Sequence, residues 1–385
     1  MPVLELAEAY RGISITKEYR QKYLQQMLDL FALPVANLLA DVIQTFVEKR
    51  IDYSADYVYR DVRRAIEHVH SSGLLHDGIA SSPKTYLDKA PKLGEFLLRL
   101  RSGGKLTFLL TNSPFDFVDA GMRFMLSNIA DQPLAREYGI RDSSQWMELF
   151  DVVITSARKP AFFTREGAFR RLDTKRCSLS WQPVTQFKRG EVYTEGSLQE
   201  FTRLCSQLSG TSYKGHEFLY CGDHVGADLT APWHSAKWRT VAIVPELTHE
   251  IQVQSTNEFK ALLHRQIKIE ALIDYGQRLD DIETVQAVNE LKLERQSIKR
   301  ELLTMFNPSF GSVFRTSLHR TDFFESVGQF ADVYTSSVEN FLNYSLNHTF
   351  YAKRQFWPHE TLHQDFLKDI ETRTSIPMPT PHDEE

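Results

Sequence analysis

The stretch FLYCGDHVGAD, residues 218–228, decides how we interpret the fold of this chain. Its four leading residues are apolar or aromatic and predict a short buried strand. Gly222 and Asp223 end that strand, and a second carboxylate follows at Asp228, after Gly226. Carboxylate oxygens suit hard cations such as magnesium, and glycine lets the backbone approach a phosphate closely. The stretch therefore indicates either a magnesium–phosphate site or only a strand followed by an Asp-rich turn.

Apolar runs and helical patterns alternate on both sides of this stretch. Strands separated by helices predict an α/β fold with a doubly wound parallel sheet. A polar segment with alternating residues, from Phe169 to Tyr193, predicts a surface hairpin within it. The predicted strands are Leu106–Leu110, Asp151–Thr155, Phe218–Cys221 and Thr240–Val244, and the predicted helices cover Phe117–Leu126, Ser197–Leu208 and His234–Lys237.

The regions that flank this core are predicted to be mainly helical. Before it we expect a short strand at Val3–Ala7 and helices at Lys17–Leu33 (stopped by Pro34), Asn37–Glu48, Asp56–Ser71 and Lys92–Arg101. After it, Asn289–Phe306 predicts an amphipathic packing helix, because too few heptads are present for a coiled coil. The Phe- and Tyr-rich segment Asn307–Tyr351 is expected to pack back on the core.

The composition excludes several classes of protein. The 385 residues carry a net charge of -5, which argues against nucleic acid as a main partner. Three cysteines without CxxC spacing indicate neither a zinc site nor a disulfide framework, so we expect a reducing, cytoplasmic location. No apolar run approaches the ~18 residues of a membrane span. The first residues lack the pattern of a signal peptide.

Polar groups that suit phosphoryl chemistry follow three of the predicted strands. Thr111 and Asn112 can donate hydrogen bonds to phosphate oxygens, and Lys159 can neutralise their charge. Asp223 and Asp228 can hold a hard cation. Taken singly, a Thr after a strand is often a helix cap, and a Lys before a Pro is usually solvated. Together, at successive strand ends, they predict catalysis by positioning and electrostatics.

A second polar set lies on the predicted helix Asp56–Ser71. Arg63, Glu67 and His70 are spaced i, i+4 and i+7, so they share one helix face. One interpretation is a solvated face with an Arg–Glu pair worth only ~0.3–0.5 kcal/mol. The other is a pocket wall that hydrogen-bonds a base.

Several long motifs resemble the haloacid dehalogenase superfamily, and more narrowly the cytosolic purine 5′-nucleotidase family and its 5′-nucleotidase domain-containing relatives. The similarity runs in order from about Val3 to Tyr351. The motifs that carry it are Tyr59–Gly73, Thr111–Met125, Asp151–Phe163, Cys221–Leu247 and Gly311–Phe324.

The resemblance assigns roles to the residues at the strand ends. Thr111 and Asn112 match the motif that holds the phosphate, and Lys159 matches the lysine that steadies the phosphoryl group. Asp223 and Asp228 match the acidic motif around Mg²⁺. The implied activity is magnesium-dependent hydrolysis of nucleoside 5′-monophosphates.

The resemblance also implies a domain organisation. Arg63, Glu67 and His70 match the lining of the nucleoside pocket, although Glu67 stands where the family has Asp, which leaves the choice of nucleoside open. The expected regions are a remnant of an upstream region (1–15), a helical cap (16–104), a haloacid dehalogenase-like core (105–250), C-terminal helices packing on the core (251–374) and a mobile tail (375–385).

The chain departs from the superfamily in its first motif, an Asp-x-Asp pair that supplies a nucleophile and a general acid–base. Asp116 and Asp119 have the wrong spacing, Asp280 and Asp281 are adjacent, and Asp41 has no second Asp. The family has this motif upstream of the position where this chain begins. We therefore expect an N-terminally truncated chain whose sheet lacks its first core strand.

Two functions follow from these observations. The retained phosphate and metal residues favour a 5′-nucleotidase, whereas the absent nucleophile predicts that this chain is inactive. The alternative is a non-catalytic protein that binds phosphate or a nucleotide and acts through partners. The sequence leaves open a homo-oligomer, and a mitochondrial location for a longer parent chain.

Overall fold

The computed structural model describes residues 29–279, 281–316 and 319–352, with a few isolated positions before residue 29. Helices and strands alternate through most of this length. The helices are α1 (Ala32–Glu48), α2 (Ala55–Ser71), α3 (Leu74–Ser81), α4 (Pro83–Tyr86), α5 (Leu93–Ser102), α6 (Phe115–Met125), α7 (Pro133–Glu137), α8 (Ala161–Thr164), α9 (Leu198–Ser209), α10 (Ala231–Ala236), α11 (Leu247–Ser255), α12 (Asn257–Gly276), α13 (Ile282–Thr304) and α14 (Asp322–Phe330). The strands are β1 (Phe108–Leu110), β2 (Val152–Thr155), β3 (Phe169–Asp173), β4 (Ser178–Leu179), β5 (Val192–Glu195), β6 (Leu219–Gly222), β7 (Arg239–Ile243), β8 (Arg315–Thr316), β9 (His319–Arg320) and β10 (Val333–Thr335). Short 3₁₀ turns cover Ile129–Asp131, Ser143–Leu149, Gly215–Glu217 and Val338–Asn343.

The first described helix corrects one boundary predicted from the sequence. Pro34 was expected to end a helix, but α1 starts at Ala32 and runs through Pro34. A proline is tolerated there because the first N–H groups of a helix have no partner within the helix. Most of the predicted helix Lys17–Leu33, and the predicted strand Val3–Ala7, lie outside the described residues.

One sheet has the strand order β1-β2-β5-β3-β4. Strands β1, β2 and β5 run parallel, with Leu110 beside Ile154 and Thr155 beside Thr194. The segment predicted as a surface hairpin does form the antiparallel pair β3–β4. Its end was misassigned, however, because Tyr193 lies in β5, a buried parallel strand. The burial of Val192, Tyr193 and Thr194 explains why β5 behaves as a core strand.

A second sheet has the parallel order β10-β7-β6. Strand β10 belongs to the Phe- and Tyr-rich segment, which was predicted to pack back on the core, and it pairs with β7 through Val333 and Val241. Asp332 anchors this connection by pairing with Arg239 at 2.6 Å and accepting a hydrogen bond from the Thr240 N–H at 3.0 Å.

The two sheets meet along their edge strands, β1 and β6, through aromatic side chains. Phe108 of β1 stacks on Tyr220 of β6, with 6.1 Å between the ring centroids, and Trp238 contacts Phe108 at 5.7 Å and Phe218 at 5.1 Å. Such aromatic pairs contribute about 0.5–1.5 kcal/mol each beyond the area they bury. The result is a mixed α/β architecture with parallel strands and many helices, compatible with the predicted doubly wound α/β fold.

Helices α12 and α13 form an antiparallel pair with a small apolar core of their own. Its buried members are Ile269, Ile273, Val288, Ile298 and Leu302. The predicted packing helix at Asn289 therefore exists but begins earlier, at Ile282. Among the residues that the structure describes, no helix combines the length and the apolar composition that a bilayer crossing requires. Residues from Asn347 onward belong to a second unit, of which 347–352 are described.

Candidate functional site

The loops that follow β1 and β2 are joined by a ladder of hydrogen bonds. The Thr111 N–H donates to the Ile154 carbonyl at 3.0 Å, and the Ala157 N–H donates to the Thr111 carbonyl at 3.0 Å. The Asn112 side chain bonds both backbone groups of Lys159: Nδ2 donates to its carbonyl at 2.9 Å, and Oδ1 accepts from its N–H at 2.5 Å. Asn112 therefore fixes the backbone of Lys159. This role differs from the predicted one, in which Asn112 donates a hydrogen bond to phosphate.

The Thr111 hydroxyl can donate a hydrogen bond to a ligand. Its Oγ1 accepts a hydrogen bond from the Ser113 N–H at 3.1 Å. The side chain is half-buried at the end of β1. Because Oγ1 acts as the acceptor in this turn, its own proton remains available to an oxygen of a bound anion.

A buried ion pair connects the end of β2 to the end of β6. The Nζ of Lys159 lies 2.6 Å from Oδ1 of Asp228, and the two side chains are only 9% and 7% exposed. The Tyr220 hydroxyl accepts from Lys159 Nζ at 2.7 Å, donates to the Leu110 carbonyl at 2.9 Å and lies 3.3 Å from Asp228 Oδ1. Breaking such a pair leaves an uncompensated buried charge, so each member depends on the other.

Tyr220 is a site residue that the sequence analysis missed. It was assigned only to the apolar run of the strand, whereas its hydroxyl joins both sheets and the ion pair. Burial, and after it the Asp228 carboxylate, raises the pKa of Tyr220 far above its ordinary value, so the hydroxyl stays protonated. The sequence did contain a signal for this role, because a Tyr in a strand predicted to be buried needs a polar partner for its hydroxyl.

Asp228 sits in a wide turn of π-helix, Val225–Thr230. His224 begins this turn, and its Nδ1 accepts hydrogen bonds from the Gly226 N–H at 3.1 Å and the Ala227 N–H at 3.2 Å. The Asp228 N–H donates to the His224 carbonyl at 2.8 Å. Single π turns are rare and are frequently found at functional sites. The Asp-rich turn is therefore built to present one carboxylate toward Lys159.

Asp223 lies beside this turn, and part of its surface is exposed. Partial desolvation of its carboxyl, and after it the charge of Asp228, raises the pKa of Asp223. A bound cation would relieve this repulsion. Within the described ranges, no three His, Cys, Asp or Glu side chains converge as metal ligands. Two carboxylates still suit Mg²⁺, which commonly takes one or two carboxylates and completes its shell with phosphate oxygens and water.

An aromatic ring stands next to the acidic turn. Phe31 stacks on His224, with 5.4 Å between the ring centroids and 27° between the planes, yet 53% of Phe31 is exposed. Asp29 Oδ2 lies 4.0 Å from His224 Nε2. Phe31 falls within the predicted helix Lys17–Leu33, and the sequence pattern did not indicate that it lies beside the site. An exposed ring beside a polar site can stack on a flat ligand.

The polar set on α2 has the predicted spacing but no demonstrated role. Arg63 Nη2 lies 3.3 Å from Glu67 Oε1, and Nη1 donates to the Tyr59 hydroxyl at 3.4 Å. His70 is exposed in the last turn of the same helix. Within the described part of the chain, the hydrogen bonds and ion pair of Arg63 and Glu67 stay within α2. The assignment of all three residues to a nucleoside pocket therefore remains a prediction.

The aspartates considered as nucleophiles do not replace the missing pair. Asp119 accepts hydrogen bonds from Trp146 Nε1 at 2.8 Å and from Arg123, and Asp281 caps α13. Asp41 makes hydrogen bonds with other residues of α1. Asp280 lies outside the described residues.

Comparison with known proteins identifies the family. A sequence model of the 5′ nucleotidase family matches residues 1–362. The chain belongs to this family. It is 34% identical over 356 residues to a 5′-nucleotidase domain-containing protein of Dictyostelium discoideum, covering 92% of this chain and 58% of that protein.

Two mammalian members of the 5′ nucleotidase family are similar to the same extent. The human 5′-nucleotidase domain-containing protein 2 is 35% identical over 368 residues, which cover 94% of this chain and 66% of the human protein. The rat protein of the same name is 36% identical over 338 residues, which cover 88% of this chain and 57% of the rat protein. The chain thus spans less than two thirds of the length of these relatives.

Replacing Gly222 by alanine is expected to disrupt the site. An added Cβ would lie 2.4 Å from the Asp228 Cβ and 2.7 Å from its Oδ2. Overpacking of this kind costs about 1–3 kcal/mol, and here it would also push Asp228 away from Lys159. Urea unfolding measures the loss of stability.

The matched control for this substitution is Gly328→Ala in α14, where nothing lies within 4 Å of an added Cβ. This control is expected to stabilise the protein by roughly 0.5–1 kcal/mol, because Gly is unfavourable inside a helix. Equal unfolding free energies for the Gly222 and Gly328 variants would contradict the proposed packing of Asp228.

Proposed function

We propose that this chain carries the phosphate-binding site of a 5′-nucleotidase and binds nucleoside 5′-monophosphates there. The observation that carries the proposal is the buried ion pair of Lys159 and Asp228. The loop after β1 holds Lys159 by a hydrogen bond, and the loop after β6 carries Asp228. A cation (Lys159), a hydroxyl donor (Thr111) and two carboxylates (Asp223 and Asp228) thus follow the ends of parallel strands, where ligands of α/β folds bind.

Each residue has a defined task toward the phosphate monoester. The Thr111 hydroxyl donates to a phosphate oxygen, and the Lys159 ammonium offsets the phosphate charge. Asp223 and Asp228 would hold Mg²⁺, which when bound neutralises charge on the phosphoryl oxygens. Asn112 fixes the backbone of Lys159.

The hydrolytic step requires groups that these 385 residues do not contain. No Asp-x-Asp pair occurs anywhere in the sequence. This observation favours the second candidate function, a protein that binds nucleoside monophosphates without hydrolysing them. The separation of β1 and β6 into different sheets supports a haloacid dehalogenase-like core from which the first strand is missing.

The proposal is tested by titrating inosine monophosphate into the protein by calorimetry, with inosine as the matched ligand that lacks phosphate. Binding of the monophosphate should strengthen on adding Mg²⁺ and weaken with a chelator, whereas inosine binds far more weakly. Equal affinities for the two ligands would refute a site built for phosphate.

Asp223→Asn is expected to raise stability while it removes the effect of Mg²⁺ on nucleotide affinity. The pKa of Asp223 is raised in the folded protein, so its ionised form costs stability at neutral pH. The gain from the substitution should shrink as the pH falls through this raised pKa. Thermal unfolding at several pH values measures the first effect and calorimetry the second. A destabilised variant that keeps its response to Mg²⁺ would contradict both.

We further propose that α2 and Phe31 contribute to a cap that recognises the nucleoside. Arg63→Ala should weaken binding of inosine monophosphate by about tenfold, the loss of one charge-assisted hydrogen bond, and leave inorganic phosphate unaffected. The matched control is Arg64→Ala, because Arg64 lies on the same helix and its side chain is 75% exposed. If Arg63 and Arg64 variants bind every nucleotide alike, this polar face is only solvated.

A further inference from the structure

The side chain of His224 caps the turn Val225–Thr230 that carries Asp228. Its Nδ1 accepts hydrogen bonds from the N–H groups of Gly226 and Ala227, at 3.1 and 3.2 Å. The first N–H groups of a helical turn lack partners within the turn, so a side-chain acceptor before it stabilises it. Serine, threonine, asparagine and aspartate usually supply that acceptor, and an imidazole supplies it here.

The two N–H donors determine which nitrogen of the His224 ring carries the proton. A ring nitrogen that accepts hydrogen bonds has a free lone pair, so the neutral ring holds its proton on Nε2. This nitrogen lies 4.0 Å from Oδ2 of Asp29. Asp29 is itself fixed, because its Oδ1 accepts a hydrogen bond from the Ala32 N–H at 3.2 Å. The Asp29 carboxylate therefore favours the tautomer that leaves Nδ1 as an acceptor.

The ring of His224 is also held by packing. Phe31 stacks on it, with 5.4 Å between the ring centroids. On the side of the turn, a Cβ added to Gly226 would lie 3.3 Å from Cε1 of His224, inside the ~3.5–4.0 Å of a favourable contact. Gly226 does not have a positive φ, so backbone freedom does not explain a glycine there. The space that the imidazole occupies gives the physical reason for this glycine.

The backbone of His224 connects the capped turn to the carboxylate of Asp228. The His224 N–H donates to Asp228 Oδ2 at 3.3 Å, and the Asp228 N–H donates to the His224 carbonyl at 2.8 Å. The other carboxylate oxygen, Oδ1, lies 2.6 Å from Lys159 Nζ. We propose that His224 is the positioning residue of Asp228. Its neutral imidazole, protonated on Nε2, holds the turn in the shape that orients this carboxylate, and the consequence for Mg²⁺ rests on the function proposed above.

The capping role is tested without any ligand, by NMR of protein labelled with ¹⁵N. The imidazole signals of His224, assigned by their loss on substitution, should show an unprotonated Nδ1 and a protonated Nε2. His224→Asn places an amide oxygen near the position of Nδ1, whereas His224→Gln places one near the position of Nε2. Loss of the cap should speed hydrogen exchange of the Gly226 and Ala227 amides about fivefold in His224→Gln, and His224→Asn should keep the parent rates.

Two further variants support this measurement. Gly226→Ala crowds the ring but keeps its acceptor, so it should speed the same exchange by a smaller factor. It replaces His224→Gln in the comparison if that variant does not fold. His216→Gln makes the same substitution at an exposed histidine and should match the parent protein.

The consequence for ligand binding is tested by calorimetry with inosine monophosphate. In His224→Gln, Mg²⁺ should strengthen binding about fivefold less than in the parent, the factor lost with the cap. Affinity in the presence of a chelator should change little, because Thr111 and Lys159 are retained. His224→Asn should restore the response to Mg²⁺, which a variant that had only lost stability would not show.

A protonated Nδ1, or equal exchange rates in the parent and the His224→Gln variant, would overturn the capping role. A full response to Mg²⁺ in His224→Gln, when the parent binds inosine monophosphate, would overturn the positioning role and leave the proposed function intact. A parent protein that binds no inosine monophosphate would refute the proposed function instead, and the exchange rates of residues 226–228 would still decide whether His224 holds the turn.

Discussion

Replacing Lys159 by methionine is expected to lower the free energy of unfolding by about 3–5 kcal/mol, the cost of leaving a buried charge without its partner. Methionine fills much of the same space, so the loss is electrostatic and leaves packing largely intact. Asp228 would remain buried, and its remaining hydrogen-bond partners among the described residues would be the Tyr220 hydroxyl and the His224 N–H. Urea unfolding of the variant and the parent protein measures the difference.

Two further variants separate this effect from a general loss of packing. Lys159→Met combined with Asp228→Asn removes both charges and should recover most of the stability, but it should not recover nucleotide binding. Lys84→Met changes an exposed lysine on α4 and should stay within about 0.5 kcal/mol of the parent. If the double variant is as unstable as Lys159→Met alone, the ion pair is not the reason for the loss.

We also expect purified protein of these 385 residues to release no phosphate from inosine or guanosine monophosphate above background. In the proposed site Thr111 and Lys159 hold the phosphate, but without an Asp-x-Asp pair only water remains to attack phosphorus. Loss of one member of a cooperating catalytic set costs ~10⁴–10⁶ in turnover in other hydrolases. Colorimetric phosphate release with Mg²⁺ measures the rate.

The control for this assay is the Asp223→Asn variant, which retains Lys159 and Thr111 but loses a predicted magnesium ligand. Both proteins should show the same background. Turnover by the parent chain well above that of the variant would show that a nucleophile exists outside the residues we considered.

The core strands were predictable because buried parallel strands are continuous apolar runs bounded by polar turns. Residues 152–155 and 219–222 show this pattern clearly. Strand β5 was not predicted because Tyr193 and Thr194 continue a polar alternating segment of the sequence. Their burial becomes clear only from the pairing of β5 with β2 in the folded protein. The start of α1 was not predicted because a proline is tolerated in the first turn of a helix but disrupts a helix interior. The sequence alone does not show which of these applies to Pro34.

The site was predictable only in part. Lys159 and Asp228 carry charge at strand ends, so their meeting follows from the alternation of strands and helices. The roles of Tyr220 and Phe31 depend on which way a ring points, and the sequence pattern does not specify that direction.

The most direct test of the central claim, that one phosphate site joins the ends of β1, β2 and β6, is a crystal structure of the protein with Mg²⁺ and inosine monophosphate. We predict that the phosphate contacts the Thr111 hydroxyl and Lys159 Nζ and that the metal contacts Asp223 and Asp228. A phosphate bound elsewhere on the chain, with the Lys159–Asp228 pair closed to ligand, would contradict this account.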